Sequence, residues 1–134
     1  MQQMSEHPSL PAYYEIAYSA DLLTDACHLA SKHAGWWEGI DPRDPYVTST
    51  KLMLAVSELA EAMEGARKGL KDDKLPDCEM LEVELADCVI RVFDLAGALG
   101  FKNFGGTLCA KMQFNASRAD HKPENRAAEG GKKF

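Results

Sequence analysis

No run of apolar residues in this chain is long enough to cross a membrane, so a membrane-spanning role is not expected. A signal-type N-terminus is also missing, and the sequence reads as that of a soluble, cytoplasmic protein. Basic excess is lacking too. The net charge is −6, which argues against a general nucleic-acid or membrane-surface binder while leaving room for a local basic pocket. There is no internal repeat and no strand-like alternation. The four cysteines, Cys27, Cys78, Cys88 and Cys109, have no paired spacing. They read as buried, reduced thiols and exclude a zinc site or a disulfide frame.

What the chain does have is helical periodicity. Its 134 residues suit one domain, and 46% apolar content is typical of a globular protein. That length buries roughly two-thirds of the unfolded surface. After a lead-in with Pro8 and Pro11, a first helix is predicted from about Tyr14 to His33. Its seam is Ile16, Ala20, Leu23, Cys27, Ala30 and Ala34, and Asp21, Asp25, His28 and Lys32 fall on the polar, solvated side. Gly35, Pro42 and Pro45 punctuate residues 34–50. Thr48, Ser49 or Thr50 is expected to cap a second helix running to about Lys68. Pro76 and Asp77 mark the start of a third, which Gly100 ends. A fourth is expected from Phe104 to about Asp120. The fold class is therefore all-α, a bundle of about four helices. Residues 1–120 form the domain, and 121–134 a flexible tail.

Two acidic pairs stand out: Glu58 with Glu61, and Glu84 with Asp87. Residues three apart share a helix face, with Cβ atoms roughly 5–6 Å apart. Each pair can aim both carboxylates at one point, and two such helices side by side would offer four oxygen ligands. On the third helix Glu84, Asp87, Arg91 and Asp94 form a narrow polar strip on an otherwise apolar cylinder. A helix apolar nearly all round is a buried one, and buried charges need a partner or a cation. The strip also fits the solvated edge of a bundle helix, with Arg91 and Asp94 pairing with neighbours. On the second helix Leu52, Val56, Leu59 and Met63 make an apolar seam. Glu58 and Glu61 lie away from it, as a solvated face would, although Leu54 sits between them.

Two further groups carry chemistry. Trp36 and Trp37 are adjacent in a predicted loop, where a flat indole can stack on a nucleobase or plug the bundle end. Lys111, Asn115 and Arg118 recur at i, i+4 and i+7, a cationic, hydrogen-bonding stripe that suits phosphate oxygens or a solvated face.

The pattern SELAEAME, a linker, then ELADCVIRVFDLAG resembles the signature of the all-α nucleoside triphosphate pyrophosphohydrolases. These are the MazG-like enzymes, with relatives among dimeric dUTPases, dCTP pyrophosphatases and phosphoribosyl-ATP pyrophosphohydrolase. Their pattern is Glu-Glu-x-x-Glu, a variable linker, then Glu-x-x-Asp. This chain matches at Glu58, Glu61, Glu84 and Asp87 and departs at Ser57, where the family has an acid. Glu64, one turn after Glu61, is the candidate to take up part of that role. The resemblance implies that Glu58, Glu61, Glu84 and Asp87 hold metal and that Glu61 or Glu64 serves the attacking water. It implies a base wall at Trp36 or Trp37, joined by His33, and nucleotide contacts from Lys111, Asn115 and Arg118.

Oxygen-only ligands select hard cations, so Mg2+ is expected, with Mn2+ as a substitute. The implied reaction is hydrolysis of a nucleoside triphosphate, deoxy or non-canonical, to monophosphate and pyrophosphate. The bond position comes from the resemblance. Apolar surfaces wider than one seam call for association, and the resemblance implies a homodimer or homotetramer. One rival is a di-iron bundle, which needs Glu-x-x-His pairs that this chain lacks. The other is a non-catalytic helical oligomerisation or nucleotide-binding module that keeps the fold.

Overall fold

A computed structural model describes residues 12–134; the lead-in expected around Pro8 and Pro11 lies outside them. The fold is all-α. Helix α1 spans Tyr13–His33, α2 Pro45–Lys68, α3 Met80–Ala98, α4 Phe104–Ser117 and α5 Pro123–Ala127, with a 3-10 turn at Ala119–His121. Extended pairing among the described residues is an isolated antiparallel bridge between Lys71 and Glu79. By its contacts the chain divides into two compact units. One is Leu22–Lys102; the other is the chain up to Asp21 together with Asn103–Phe134.

In the first unit α2 starts earlier than the sequence suggests. Asp44, not Thr48, Ser49 or Thr50, is the N-cap, and its side chain accepts from the Tyr46 amide. Pro45 at the first helical position loses no hydrogen bond there, because that amide has no intrahelical partner. Thr48, Ser49 and Thr50 lie inside the first turns and donate back to the carbonyls of Pro42, Pro45 and Tyr46. The linker closes on Asp72, a buried carboxylate that accepts from the amides of Lys74 and Leu75. Helix α3 starts at Met80, whose amide donates to the Leu70 carbonyl.

Helices α2 and α3 pack antiparallel, with Gly65 beside Met80 at one end and Glu58 beside Arg91 further along. The packed face of α2 is Ala55, Glu58, Ala62 and Gly65. This reverses the expected orientation in part: the Leu52, Val56, Leu59 and Met63 seam is exposed and Glu58 is inside, whereas Glu61 stays exposed. The cause is side-chain size. A Cβ on Gly65 would stand 2.9 Å from the Met80 side chain, so the small residues permit an approach that the leucine seam would block. On α3, Glu84, Asp94, Leu95 and Ala96 are buried, whereas Leu85, Val89, Ile90 and Val92 are exposed, so it is not enclosed on all sides. The turn after α1 is tied to the end of α3 by Arg43, which donates to the Leu99 carbonyl.

In the second unit the amide of Gly105 donates to the Asp21 carboxylate at 2.8 Å, so Asp21 caps the start of α4 and is not merely solvated. Buried Cys109 reaches the Tyr13 carbonyl. Helix α4 ends at Ser117, short of Asp120, because Arg118 turns extended (ψ 129°). Residues 121–134, expected as a tail, include α5, and Lys132 pairs with Asp120.

Candidate metal centre

Antiparallel packing of α2 on α3 brings Glu58 of the first acidic pair against both members of the second. Carboxylate oxygens of Glu58, Glu84 and Asp87 all lie within 4.8 Å of one another. Glu58 and Glu84 are buried; Asp87 is exposed. Burial is the main reason that the Glu84 carboxyl is pushed up to about 7. A hydrogen bond shared with Glu58 adds to it, followed by the negative charges of Glu61, Glu58 and Asp87. Glu61 thus acts on the cluster electrostatically from one turn further along α2, without being one of the three converging groups.

One cation answers this charge directly. Arg91, one turn beyond Asp87, donates from Nε to Glu58 at 2.5 Å. Glu58 is nearly buried and Arg91 only partly so, which leaves the guanidinium open on one side. Three carboxylates facing one guanidinium leave a net negative site lined by oxygen alone. Such a donor set fits a hard divalent ion, which would take the place of the proton that Glu84 retains.

The cluster borders a cleft of about 570 Å³. Glu58, Asp87 and Arg91 line it, together with Asp94, Trp36, Lys51, Leu54, Cys27 and Ile90 among others. The two tryptophans separate in role. Trp36 is 66% exposed and faces the cleft. Trp37 is engaged in the protein: its Nε1 donates to Asp94 Oδ1 at 2.8 Å, the Lys51 ammonium sits 4.4 Å from its ring, and the His28 ring meets it edge-on. His28 Nδ1 shares the same Asp94 oxygen at 2.9 Å. Asp94 together with burial pushes the Cys27 thiol up, burial being the larger cause, so this cysteine stays protonated in the cleft wall.

The remaining expected residues lie elsewhere. His33 is exposed at the end of α1 and is not one of the cleft-lining residues. Glu64 pairs with Arg67 and Lys68 on its own helix and is not among the three converging carboxylates. Lys111, Asn115 and Arg118 belong to the second unit. Lys111 is exposed, with its ammonium over the Phe114 ring, and the Asn115 Oδ1 is buried without a hydrogen-bond partner. Arg118 leaves the helical stripe and forks onto Asp120, holding that carboxyl well below the usual carboxylate range, with Lys132 adding to the effect.

Sequence reasoning underweighted three cleft residues, Lys51, Arg91 and Asp94, and His28, which holds Asp94 from behind. The available signal was the strip Glu84, Asp87, Arg91, Asp94, which lies on one side of α3. His28 carried no comparable signal, since its partner Asp94 is 66 residues away. No protein-family model, curated protein or solved structure matches the chain.

Proposed function

We propose that this protein is a cytoplasmic, Mg2+-dependent nucleoside triphosphate pyrophosphohydrolase of the MazG-like type, active as a homo-oligomer. The observation that carries the reading is the convergence of Glu58, Glu84 and Asp87 beside a cleft that also presents Trp36, Lys51 and Arg91. The Ser57 departure leaves these three carboxylates intact. Its exposed hydroxyl donates to the Leu54 carbonyl of its own helix.

Glu58, Glu84 and Asp87 would hold the ion, with Glu61 next to them. Bound there, Mg2+ or Mn2+ supplies charge neutralisation on the polyphosphate and acidifies a water. Trp36 offers its exposed indole face to the base, and Lys51 and Arg91 set cationic donors along the cleft for phosphate oxygens. Arg91 is held by Glu58 in the metal-free chain and is the nearer of the two to the carboxylates. Glu61, which makes no ion pair among the described residues, accepts the proton of the attacking water. In the reaction that the family resemblance implies, the water oxygen bonds to the α-phosphorus. The bond from the α-phosphorus to the bridging oxygen breaks, and pyrophosphate leaves. Exposed apolar seams on α2 and α3 support association with a second copy.

The test is turnover of canonical and damaged (d)NTPs with Mg2+, products identified, alongside Glu84→Gln. Monophosphate plus pyrophosphate is expected. Loss of an orienting residue behind a metal ligand already costs about 10–100-fold, so Glu84→Gln should lower turnover by at least that much. Release of diphosphate and phosphate would overturn the bond assignment. No turnover by folded, Mg2+-loaded protein would overturn the enzyme reading in favour of a binding module.

A further inference from the structure

Asp94 lines the same cleft as Glu58 and Asp87 of the carboxylate cluster. It is seven residues beyond Asp87 on α3, about 10 Å along the axis at helical rise. That span matches the reach of a nucleotide from its α-phosphate to the edge of its base. Asp94 is only 9% exposed, yet it lines the cleft. Both of its protein donors, His28 Nδ1 and Trp37 Nε1, fall on Oδ1. Among the described residues no hydrogen bond is formed to Oδ2.

We propose that Asp94 Oδ2 is the base-reading acceptor of the cleft and that it selects nucleobases whose edge carries an exocyclic amine, cytosine over uracil being the decisive pair. The proposal rests on the nucleotide reading given above. An ionised carboxylate only accepts hydrogen bonds. The N4 amine of cytosine donates to it. The O4 of uracil would face it with like partial charge, and the uracil N3–H is flanked by two carbonyl oxygens that repel the same carboxylate. A buried polar group left without its partner penalises the wrong ligand more than a good contact rewards the right one. His28 and Trp37 keep the carboxylate from turning, because rotation would break two hydrogen bonds. Gly97 lets His28 in: a Cβ there would stand 2.6 Å from the His28 Cβ.

The pinning makes a polarity switch possible. In Asp94→Asn the amide oxygen is still required at the Oδ1 position, since His28 and Trp37 both donate. The amide nitrogen must then occupy the Oδ2 position and present N–H groups to the cleft. The experiment measures binding of CMP and UMP by tryptophan fluorescence, and kcat/KM for CTP and UTP, in wild type and Asp94→Asn. Wild type should favour the cytosine ligand by about tenfold or more, the worth of one good base contact, and Asp94→Asn should reverse the order. Equal affinities in wild type, or weakening of both ligands alike in the variant as a structural role would give, would overturn the proposal. If Asp94→Asn does not fold, the wild-type CMP to UMP ratio decides alone. A CMP preference that reverses in the variant, with no triphosphate turnover, would support base reading and overturn the hydrolase.

Discussion

At the residue scale the governing fact is how much negative charge α2 and α3 bring to one place. Glu84 illustrates the consequence. Its folded value of about 7 lies above the ordinary 4.5, so between those two values the folded chain holds a proton that the unfolded chain releases. The stabilisation is complete below about 4.5 and is lost as pH rises through about 7. Metal-free protein is therefore expected to show a falling Tm across this window. Glu84→Gln, which mimics the protonated form, should flatten that fall. Thermal melts in chelator at a series of pH values check this; parallel curves for the two proteins would exclude Glu84 as the source. The spacing of Glu58, Glu61, Glu84 and Asp87 marked them as ligands on paper. Their unequal parts, three converging and Glu61 acting through its charge, follow from packing that spacing does not encode.

At the element scale small residues decide which faces meet. Ala55, Ala62 and Gly65 draw α2 onto α3, and Gly97 draws α3 towards His28 of α1. Gly97→Ala tests the second approach. Alanine gains about 1 kcal/mol of helix propensity over glycine, whereas overpacking a tight contact costs about 1–3 kcal/mol. The nearest atom is the His28 Cβ, which cannot swing aside, so the steric cost should win. A net loss of about 1 kcal/mol is expected in urea unfolding, with altered Trp37 emission as the His28–Asp94–Trp37 contacts shift. Stabilisation by the substitution would show that α1 yields freely. Helix boundaries were legible to within a few residues, except at the start of α2. There Asp44 and Pro45 form a cap-and-first-residue pair that outranks the hydroxyls of Thr48, Ser49 and Thr50. The end of α4 was misplaced because the Arg118 fork to Asp120 draws the chain out of the helix.

At the scale of the whole molecule, no helix among the described residues is long and apolar enough to cross a membrane. The conspicuous feature of the residue 22–102 unit is an apolar surface left uncovered. Leu52, Val56, Leu59 and Met63 on α2 are about half exposed, as are Leu85, Val89 and Val92 on α3. Contiguous exposed apolar residues mark an interface more often than a solvent face. The association proposed above would cover this seam, and two-fold closure is the simplest way for a second copy to do so. Light scattering after size exclusion should give a dimer or tetramer, and Leu59→Glu combined with Val89→Glu should give monomer with a lowered Tm. Wild-type protein that runs as a monomer would sink the association.

Composition and periodicity alone settled the class of the fold. Amphipathic helical runs broken by Gly and Pro leave few alternatives to an all-α chain, because those are local properties. The acidic pairs were legible for the same reason, as i and i+3 on one helix. Tertiary structure alone decided which face of α2 turns inward, since close approach depends on residue size at two helices together. It also decided that His28 and Trp37 meet on one oxygen of Asp94, and that Trp36 is the indole left facing the cleft. Those outcomes join side chains far apart in the chain, and no local pattern carries that information.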